Sequence, residues 1–427
     1  MRCSSMVQFC QLALAICFCL GTTLLAQTPS DVERRVADLE EQLAALKAEL
    51  KKEPLPPTVA GLDRALQPVS ITGDYQTSAT GETRLPIAGY MDFHVNKERG
   101  DSFSPDFHRF VLLFGHSFSD RIKFWSELEL EHALVEGGEE TGEIALEQAY
   151  LDFFVKPYFN LRAGMVLTPM GIVNERHEPP SYNGVERPFV ETTIIPTTWR
   201  ELGFGFTGDL GRGFRYRTYL TSSLDASRFD AEGGISHGKA SGVDASLRNP
   251  AKVGRLEFVG VRRLTIGTSF YTGHAGYKTP GINPRVNITE FDGRYSVQRF
   301  DFRGLFVHTW VTRTDELNYR IEQQTGVNPN TASQMRGYYW ESAFHLFHRR
   351  ARNDFITFTR YERYNTQQAM PKGFVALPQF DRSSWIMGLT YKPNADVAIK
   401  FDYNFNRNRS SVVQAVDGIN LGIGWWF

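Results

Sequence analysis

The feature that most restricts the fold of this chain is a two-residue alternation of apolar and polar side chains, which recurs from about residue 87 onward. In the segment that ends the chain, Ile419, Leu421 and Ile423 fall on one face, and Asn420 and Gly422 fall on the other. Successive side chains of a β-strand point to opposite faces, so this period indicates strands. Sixteen strands are predicted, at 87–97, 107–118, 121–135, 144–155, 158–167, 199–210, 213–224, 251–260, 263–274, 286–296, 299–312, 335–347, 353–365, 383–392, 395–407 and 417–427.

The predicted connections between these strands are alternately short and long. Ser119-Asp120 and Lys156-Pro157 are short, whereas 168–198 and 225–250 are long. Transmembrane barrels have tight turns at the periplasmic end and long loops at the other, whereas a soluble β-sandwich has no reason to sort its loops by end. The sequence therefore predicts an all-β fold, a transmembrane antiparallel β-barrel of about sixteen strands at 87–427. A soluble all-β protein is the alternative that composition alone leaves open.

Residues 1–26 are predicted to be a signal peptide. A short positive end precedes a mainly apolar run from Val7 to Leu25, and polar residues begin at Gln27, which favours cleavage after Ala26. A retained membrane helix is the alternative. All four cysteines precede this position, so we expect neither disulfides nor thiolate metal sites in the mature chain.

Residues 27–53 are predicted to form a periplasmic coiled-coil helix, because their apolar residues alternate at spacings of four and three. The residues assigned to trimerisation are Val36, Leu39, Leu43, Leu46 and Leu50. Leucine at two a positions is compatible with a trimer, and an amphipathic helix packed on its own domain is the alternative. Residues 54–86, which begin with Pro54, are predicted to be a Pro-containing linker.

Many predicted strands carry charged residues on the polar face. These residues are Lys123, Glu127, Glu129, Glu131, Arg162, Arg215, Arg217, Arg255, Glu257, Arg263, Arg303, Lys400 and Asp402. Such charges cannot be buried dry without pairing. Because a barrel of about sixteen strands leaves an aqueous channel, we expect them to face that channel and to be hydrated.

The longest predicted connection, the third loop at 168–198, mixes prolines, apolar residues and charges. Its candidate constriction residues are Glu175, Arg176, His177, Glu178, Glu186 and Arg187. A purely solvated loop would rarely contain Met170, Ile172 and Phe189, so we expect another surface to cover them. The loop either folds into the lumen or packs over the rim or against a neighbouring subunit. The spacing around His177 is not specific for a metal, and neither a metal site nor a cofactor is predicted.

The run RAGMVLTPMGIVNE (162–175), followed by PTTWRELGFGFTG (196–208), resembles the region around the constriction loop in the phosphate-selective porin O/P family. The signal peptide, short coiled coil, proline linker, sixteen-strand pattern and terminal Phe427 are also similar to that family and its coiled-coil-bearing relatives. The resemblance extends over about residues 70–427.

The resemblance implies trimeric barrels, a third loop folded into the pore, and basic residues that face the lumen and guide anions. The candidate pore-lining and anion-guiding residues are Arg215, Arg217, Lys123, Arg162, Arg255, Arg263 and Arg303. Phe427 resembles the terminal aromatic residue that the barrel-assembly machinery reads. Glu127, Glu129 and Glu131 depart from the family pattern, and they favour a divided field, basic on one wall and acidic on the other.

The predicted function is therefore a homotrimeric porin in the outer membrane of a Gram-negative bacterium, a passive channel for small hydrophilic solutes, anionic ones such as phosphate or organic anions in particular. Expected partners are outer-membrane lipid and lipopolysaccharide, the barrel-assembly machinery and the solutes. The formal net charge of −1 gives no signal for nucleic acid. Two alternatives are a structural tether that acts through the coiled coil, and a barrel enzyme. The scattered histidines have no nucleophile-elbow or zinc-type spacing, so no enzyme is predicted.

Overall fold

The computed structural model describes residues 87–132, 142–242, 245–279, 281–347 and 353–427. The predicted signal peptide, coiled coil and linker lie outside the described residues. None of the described helices is long and apolar enough to cross a membrane.

The described residues form one closed antiparallel barrel of sixteen strands, in which each strand pairs with its neighbours in sequence. The strands are β1 (Ile87–Glu98), β2 (Ser104–Ser119), β3 (Ile122–Glu131), β4 (Glu143–Lys156), β5 (Phe159–Leu167), β6 (Arg200–Gly211), β7 (Phe214–Thr221), β8 (Ala251–Phe258), β9 (Leu264–His274), β10 (Arg285–Val297), β11 (Phe300–Val311), β12 (Gln334–His345), β13 (Asp354–Ala369), β14 (Asp381–Lys392), β15 (Val397–Asn408) and β16 (Gly418–Trp426). The predicted strand number and order are confirmed.

The barrel closes between its first and last strands. Tyr90 on β1 lies opposite Trp426 on β16. The last residue continues this pairing, because Gly89 and Phe427 exchange backbone hydrogen bonds of 3.0 and 2.9 Å, and the Phe427 ring stacks on Phe110 with centroids 5.8 Å apart. Both chain ends of the barrel therefore lie at the end with the short turns.

Two strand ends, those of β3 and β13, differ from the prediction by four residues. β3 ends at Glu131 because His132 has a left-handed backbone, with φ at 49°, which is incompatible with extended pairing. β13 continues to Ala369, whose carbonyl accepts the backbone N–H of Ser333. Pairing with β12 therefore continues past Asn365, the predicted end of the strand.

The outer surface of the barrel is apolar. Large exposed side chains on it include Phe204, Phe206, Phe270, Phe291, Phe302, Phe306, Trp340, Trp385, Met387, Phe401, Phe405 and Leu421. A soluble protein rarely exposes a continuous apolar patch of this extent. It is the surface expected of a barrel whose strands face lipid.

Part of the lumen is filled by protein. The third loop (168–199), the fourth loop (222–250) and the helix α1 (Thr314–Thr325) contribute side chains to one apolar core with the inner faces of β7–β13. Its fully buried members include Ile194, Ile195, Trp199, Leu224, Phe229, Tyr271, Ile288, Val307 and Leu317. Each such side chain contributes about 1.5–3 kcal/mol relative to exposure, so this packing holds both loops inside the barrel.

Candidate functional site

The third loop is turned into the lumen by Asn174. Its side-chain amide donates to the carbonyl oxygens of Thr168 and Trp199 at 2.7 and 3.1 Å. Its Oδ1 accepts the backbone N–H of Trp199 at 2.7 Å. One buried side chain thus joins both ends of the loop and satisfies backbone groups that leave the β5–β6 ladder.

The loop crosses to the strands at the barrel closure. Asp402 on β15 accepts the backbone N–H of Val185 at 2.6 Å. Glu186 accepts a hydrogen bond from Asn96 on β1 at 3.1 Å and lies 3.0 Å from Nδ1 of His94. The structure therefore places the loop across the lumen, one of the two arrangements that the sequence left open.

A third contact joins the loop to β12 and β13 through Arg360. Its guanidinium, fully buried, donates to Glu362 at 2.8 Å, to Glu341 at 3.1 Å and to the carbonyl of Asn183 at 3.0 Å. The backbone N–H of Val190 donates to Glu362 at 3.0 Å. Arg360 bonds both to the third loop and to carboxylates of the barrel wall. The same buried charges therefore hold the loop against the wall.

His177 carries the loop's contact with β3 and β4. Its Nδ1 lies 3.1 Å from the carbonyl oxygen of Asn174, and its Nε2 lies 3.0 Å from Glu147 and 3.5 Å from Glu127. Burial opposes the charged imidazolium, but the two carboxylates outweigh it and raise the pKa of His177 to about 10. The three side chains are close enough to hold a metal ion. The geometry is equally that of an imidazolium that neutralises two buried carboxylates.

A cavity of about 1380 Å³ lies inside the barrel. It is lined by strands near the barrel closure and by the third and fourth loops. Its charged lining residues include Lys97, Glu98, Arg109, Glu129, Glu131, Glu143, Glu147, Glu186, Arg187, Arg200, Lys239 and Arg382.

The acidic side of this cavity is formed by β3 and β4 and is partly neutralised. Arg109 approaches Glu129 at 3.4 Å, and Arg200 approaches Glu147 at 3.7 Å. Glu129 is on the face that the sequence predicted to be acidic. Arg109 and Arg200 therefore reduce the negative electrostatic field on this side of the cavity.

The basic side of the cavity is formed by the third and fourth loops. Nη1 of Arg187 donates to the hydroxyls of Thr197 and Thr198 at 2.6 and 2.7 Å, and Lys239 donates to the Thr197 carbonyl at 2.6 Å. Burial, and then the charges of Arg200 and Arg187, lower the pKa of Lys239 to about 8. Thr198 has φ at 41°, a strained conformation for a β-branched residue that costs about 1–3 kcal/mol.

Most of the predicted pore-lining cations have carboxylate partners. Arg162 forms a bidentate pair with Asp152, and Lys123 lies opposite the same Asp152 in the β3–β4 ladder. Arg217 lies 3.0 Å from Glu175 of the third loop. Arg303 lies 3.2 Å from Glu341, and Arg215 lies 3.6 Å from Asp209. These pairs reduce the net field that each cation contributes.

Two of the predicted pore cations need correction. Arg255 is 4% exposed and is held by Asp292 at 2.6 Å, with Glu257 and Glu290 each at 3.3 Å. Buried carboxylates neutralise the charge of Arg255, which is therefore not hydrated by the channel. Arg263 lies in the turn before β9 with φ at 64° and is exposed, so it is not on a strand.

Sequence reasoning missed Asn174, Arg200, Lys239, Arg360 and Arg382. The parity of its strand could have identified Arg360, which follows Phe358 on the inward face. Asn174 and Lys239 gave no comparable signal, because they lie in loops that fold back into the barrel. Arg200 and Arg382 lie at the starts of β6 and β14, and the partner of Arg200 is Glu147 on β4.

The fold is shared with outer-membrane porins. The chain is similar to OmpF of Salmonella typhi, solved in complex with daunomycin, at 12% identity over 80% of this chain and 97% of that chain, with a TM-score of 0.57. It is similar to the anion-selective porin of Comamonas acidovorans at 13% identity over 81% and 99%, with a TM-score of 0.53. It is similar to the outer-membrane channel DcaP of Acinetobacter baumannii at 9% identity over 80% and 97%, with a TM-score of 0.52. The protein is therefore a sixteen-stranded barrel of the porin fold.

A sequence relative defines the family more narrowly. A protein of Aquifex aeolicus (strain VF5), described as an uncharacterized protein, is 35% identical over 329 residues, which cover 75% of each chain. The chain belongs to the same family as this protein. No family model matches the chain, so the resemblance to the phosphate-selective porin O/P family is not confirmed.

Proposed function

We propose that this protein is an outer-membrane channel for small hydrophilic solutes, with a preference for anions. The observation that carries the proposal is a large, charged cavity inside a barrel whose outer surface is apolar. An apolar exterior needs lipid around it, whereas charged lining groups need water or ionic solutes. A channel satisfies both requirements.

The preference for anions is supported by the balance of partners on the cavity wall. Arg109 and Arg200 approach the acidic side chains of β3 and β4, while Arg187 and Lys239 bond to neutral oxygens of Thr197 and Thr198. Arg187 and Lys239 are therefore cations of the cavity wall whose described hydrogen-bond partners are uncharged. Arg215 and Arg217 lie on the same face of β7, but Asp209 and Glu175 pair with them, so they add less to this field.

The third loop is proposed to control conductance. Its candidate constriction residues include Glu175, which faces Arg217, and His177 and Glu186, which fasten the loop to the wall. A loop held by buried charges is rigid, so it can set the width of the path.

The assembly is proposed to be a homotrimer, joined by the predicted heptads between Val36 and Leu50 in the periplasm. Lipid and lipopolysaccharide would surround the barrel. Phe427, which closes the sheet against Gly89, would serve as the signal for the barrel-assembly machinery.

A structural tether that acts through residues 31–52 is the second candidate function, and the heptad pattern favours it. Catalysis is not proposed. Deleting 31–52 separates the two functions: a channel retains conductance through each barrel, whereas a tether loses its attachment to the cell wall or its periplasmic partner.

The channel proposal is tested by adding purified, heat-modifiable full-length protein to planar lipid bilayers. We expect stepwise increases in current, in groups of three for a trimer, and no steps from heat-denatured protein. Properly folded protein that inserts without any increase in current would defeat the channel proposal.

A further inference from the structure

The Arg187 guanidinium has one free hydrogen-bonding edge. Nη1 is engaged by the hydroxyls of Thr197 and Thr198. Nε and Nη2 have no hydrogen-bond partner among the described residues, although Arg187 is only 7% exposed and lines the cavity. A buried donor without an acceptor is energetically unfavourable, so we expect a hydrogen-bond acceptor to bind at this edge of Arg187.

The same edge binds a carboxylate elsewhere in this barrel. Arg162 uses Nε and Nη2 to hold both oxygens of Asp152, at 2.7 and 2.9 Å. This fork matches the spacing of two oxygens in a carboxylate or phosphate group. In Arg187 the same two nitrogens contact no acceptor in the described part of the chain.

Neither Arg187 nor its neighbour Lys239 is paired with an acid. Among the residues that the structure describes, no carboxylate forms a salt bridge with either side chain, and both bond to Thr197 instead. Two cations that share one neutral partner repel each other and attract an anion. Of the acids on the cavity wall, Glu129 lies 3.4 Å from Arg109, and Glu147 lies 3.7 Å from Arg200.

We propose that Arg187 and Lys239 form a subsite in the cavity for an oxyanion, either a carboxylate or a phosphate group. The inference rests on the proposed channel function and specifies the chemistry of its solute. Binding turns the Nε–Nη2 edge of Arg187 toward the cavity, where two oxygens of the ligand accept parallel hydrogen bonds. Lys239 supplies the second positive charge. Chloride offers a single acceptor atom, so it cannot form the two parallel N–H···O hydrogen bonds that a carboxylate or phosphate group forms.

The subsite is tested by isothermal titration calorimetry of the detergent-solubilised full-length protein in a chloride buffer, with inorganic phosphate and succinate as separate probes. We expect one or both to bind. Arg187→Gln should weaken binding by about tenfold or more, the equivalent of one charge-assisted hydrogen bond. Arg187→Lys, which keeps the charge but lacks the fork, should also weaken it. The control is Arg407→Gln, because Arg407 is paired with Asp417 at 2.8 Å, and it should change affinity less than twofold.

Binding of only one probe would identify the group as carboxylate or phosphate. Failure of both probes to bind the wild-type protein would overturn the subsite. It would also be overturned if Arg187→Gln and Arg187→Lys, shown to be folded by their heat-modifiability, bound the probes with the affinity of the wild-type protein. Bilayer conductance measured on the same samples keeps the two proposals apart. Binding without conductance would overturn the channel proposal and support the subsite. Conductance without binding would support the channel proposal and overturn the subsite.

Discussion

Asp402 on β15 accepts the backbone N–H of Val185 at 2.6 Å, and this contact fastens the third loop to the barrel wall across the lumen from β5 and β6. Replacing Asp402 with Ala removes a hydrogen bond to a charged acceptor, which is worth about 1.5–3 kcal/mol. The loop should then leave the wall more often, so single-channel records should contain larger or more frequent open levels.

The control for this prediction is Asp396→Ala, in a short turn where Asp396 accepts the backbone N–H of Trp426 through its main-chain carbonyl. That substitution keeps the backbone contact and should leave the open level unchanged. Identical records from both variants would show that the third loop does not limit current.

Arg360 should be essential for stability. Truncation to Ala leaves Glu341 and Glu362 buried without their counter-charge, which costs about 3–5 kcal/mol. Urea unfolding followed by tryptophan fluorescence measures this loss. Arg363→Ala, on the same strand, removes a more exposed pair with Asp381 and should cost less than about 1 kcal/mol. Similar losses in the two variants would contradict the account of the buried cluster.

Stability should fall in alkali because of His177. Its pKa in the fold is about 10, above the ordinary value of 6.5, so its contribution is complete below about pH 6.5 and is lost as the pH rises through 10. The groups that face it are Glu147, Glu127 and the ring of Tyr90. His177→Gln should therefore narrow the difference in urea midpoint between neutral and alkaline pH.

The exposed His237 provides the control, since it pairs with Asp230 outside the lumen core. His237→Gln should follow the wild-type dependence on pH. If His177→Gln also followed it, the imidazolium would not be the source of the alkaline loss.

The preference for anions should decrease as the pH rises through about 8, because Lys239 loses its proton there. Its folded pKa lies below the ordinary 10.5 because of burial and the charges of Arg200 and Arg187, while Glu147 and Glu131 act in the opposite direction. Reversal potentials at pH values on either side of 8 measure the change. In the Lys239→Arg variant the side chain keeps its charge in this range, so the anion preference should no longer depend on pH. If the dependence persisted, another group would be its source.

The strands could be predicted from sequence because their period is local. β16 shows this directly, since Ile419, Leu421 and Ile423 face the same side of one extended segment. The filling of the lumen could not be predicted in the same way. Ile288 and Val307 are buried and apolar on the inner faces of β10 and β11, but the core that they share includes the third and fourth loops, which are distant in sequence.

The charged residues show the same limit. Arg217 and Arg255 are opposite one another in the β7–β8 ladder and have the same parity in the sequence. Arg255 is buried because Asp292 on β10 and its neighbours surround it, whereas Arg217 faces Glu175 of the third loop. Parity therefore predicts which face a residue occupies, and partners from distant strands decide whether its charge is available to a solute.

The most direct test of the central claim is the zero-current potential of the wild-type protein in a planar bilayer under a steep KCl gradient at neutral pH. An anion-preferring channel gives a potential of the sign set by chloride, and Arg187→Gln moves it toward zero. A folded protein that gives no current, or a potential of the sign set by potassium, would contradict the account.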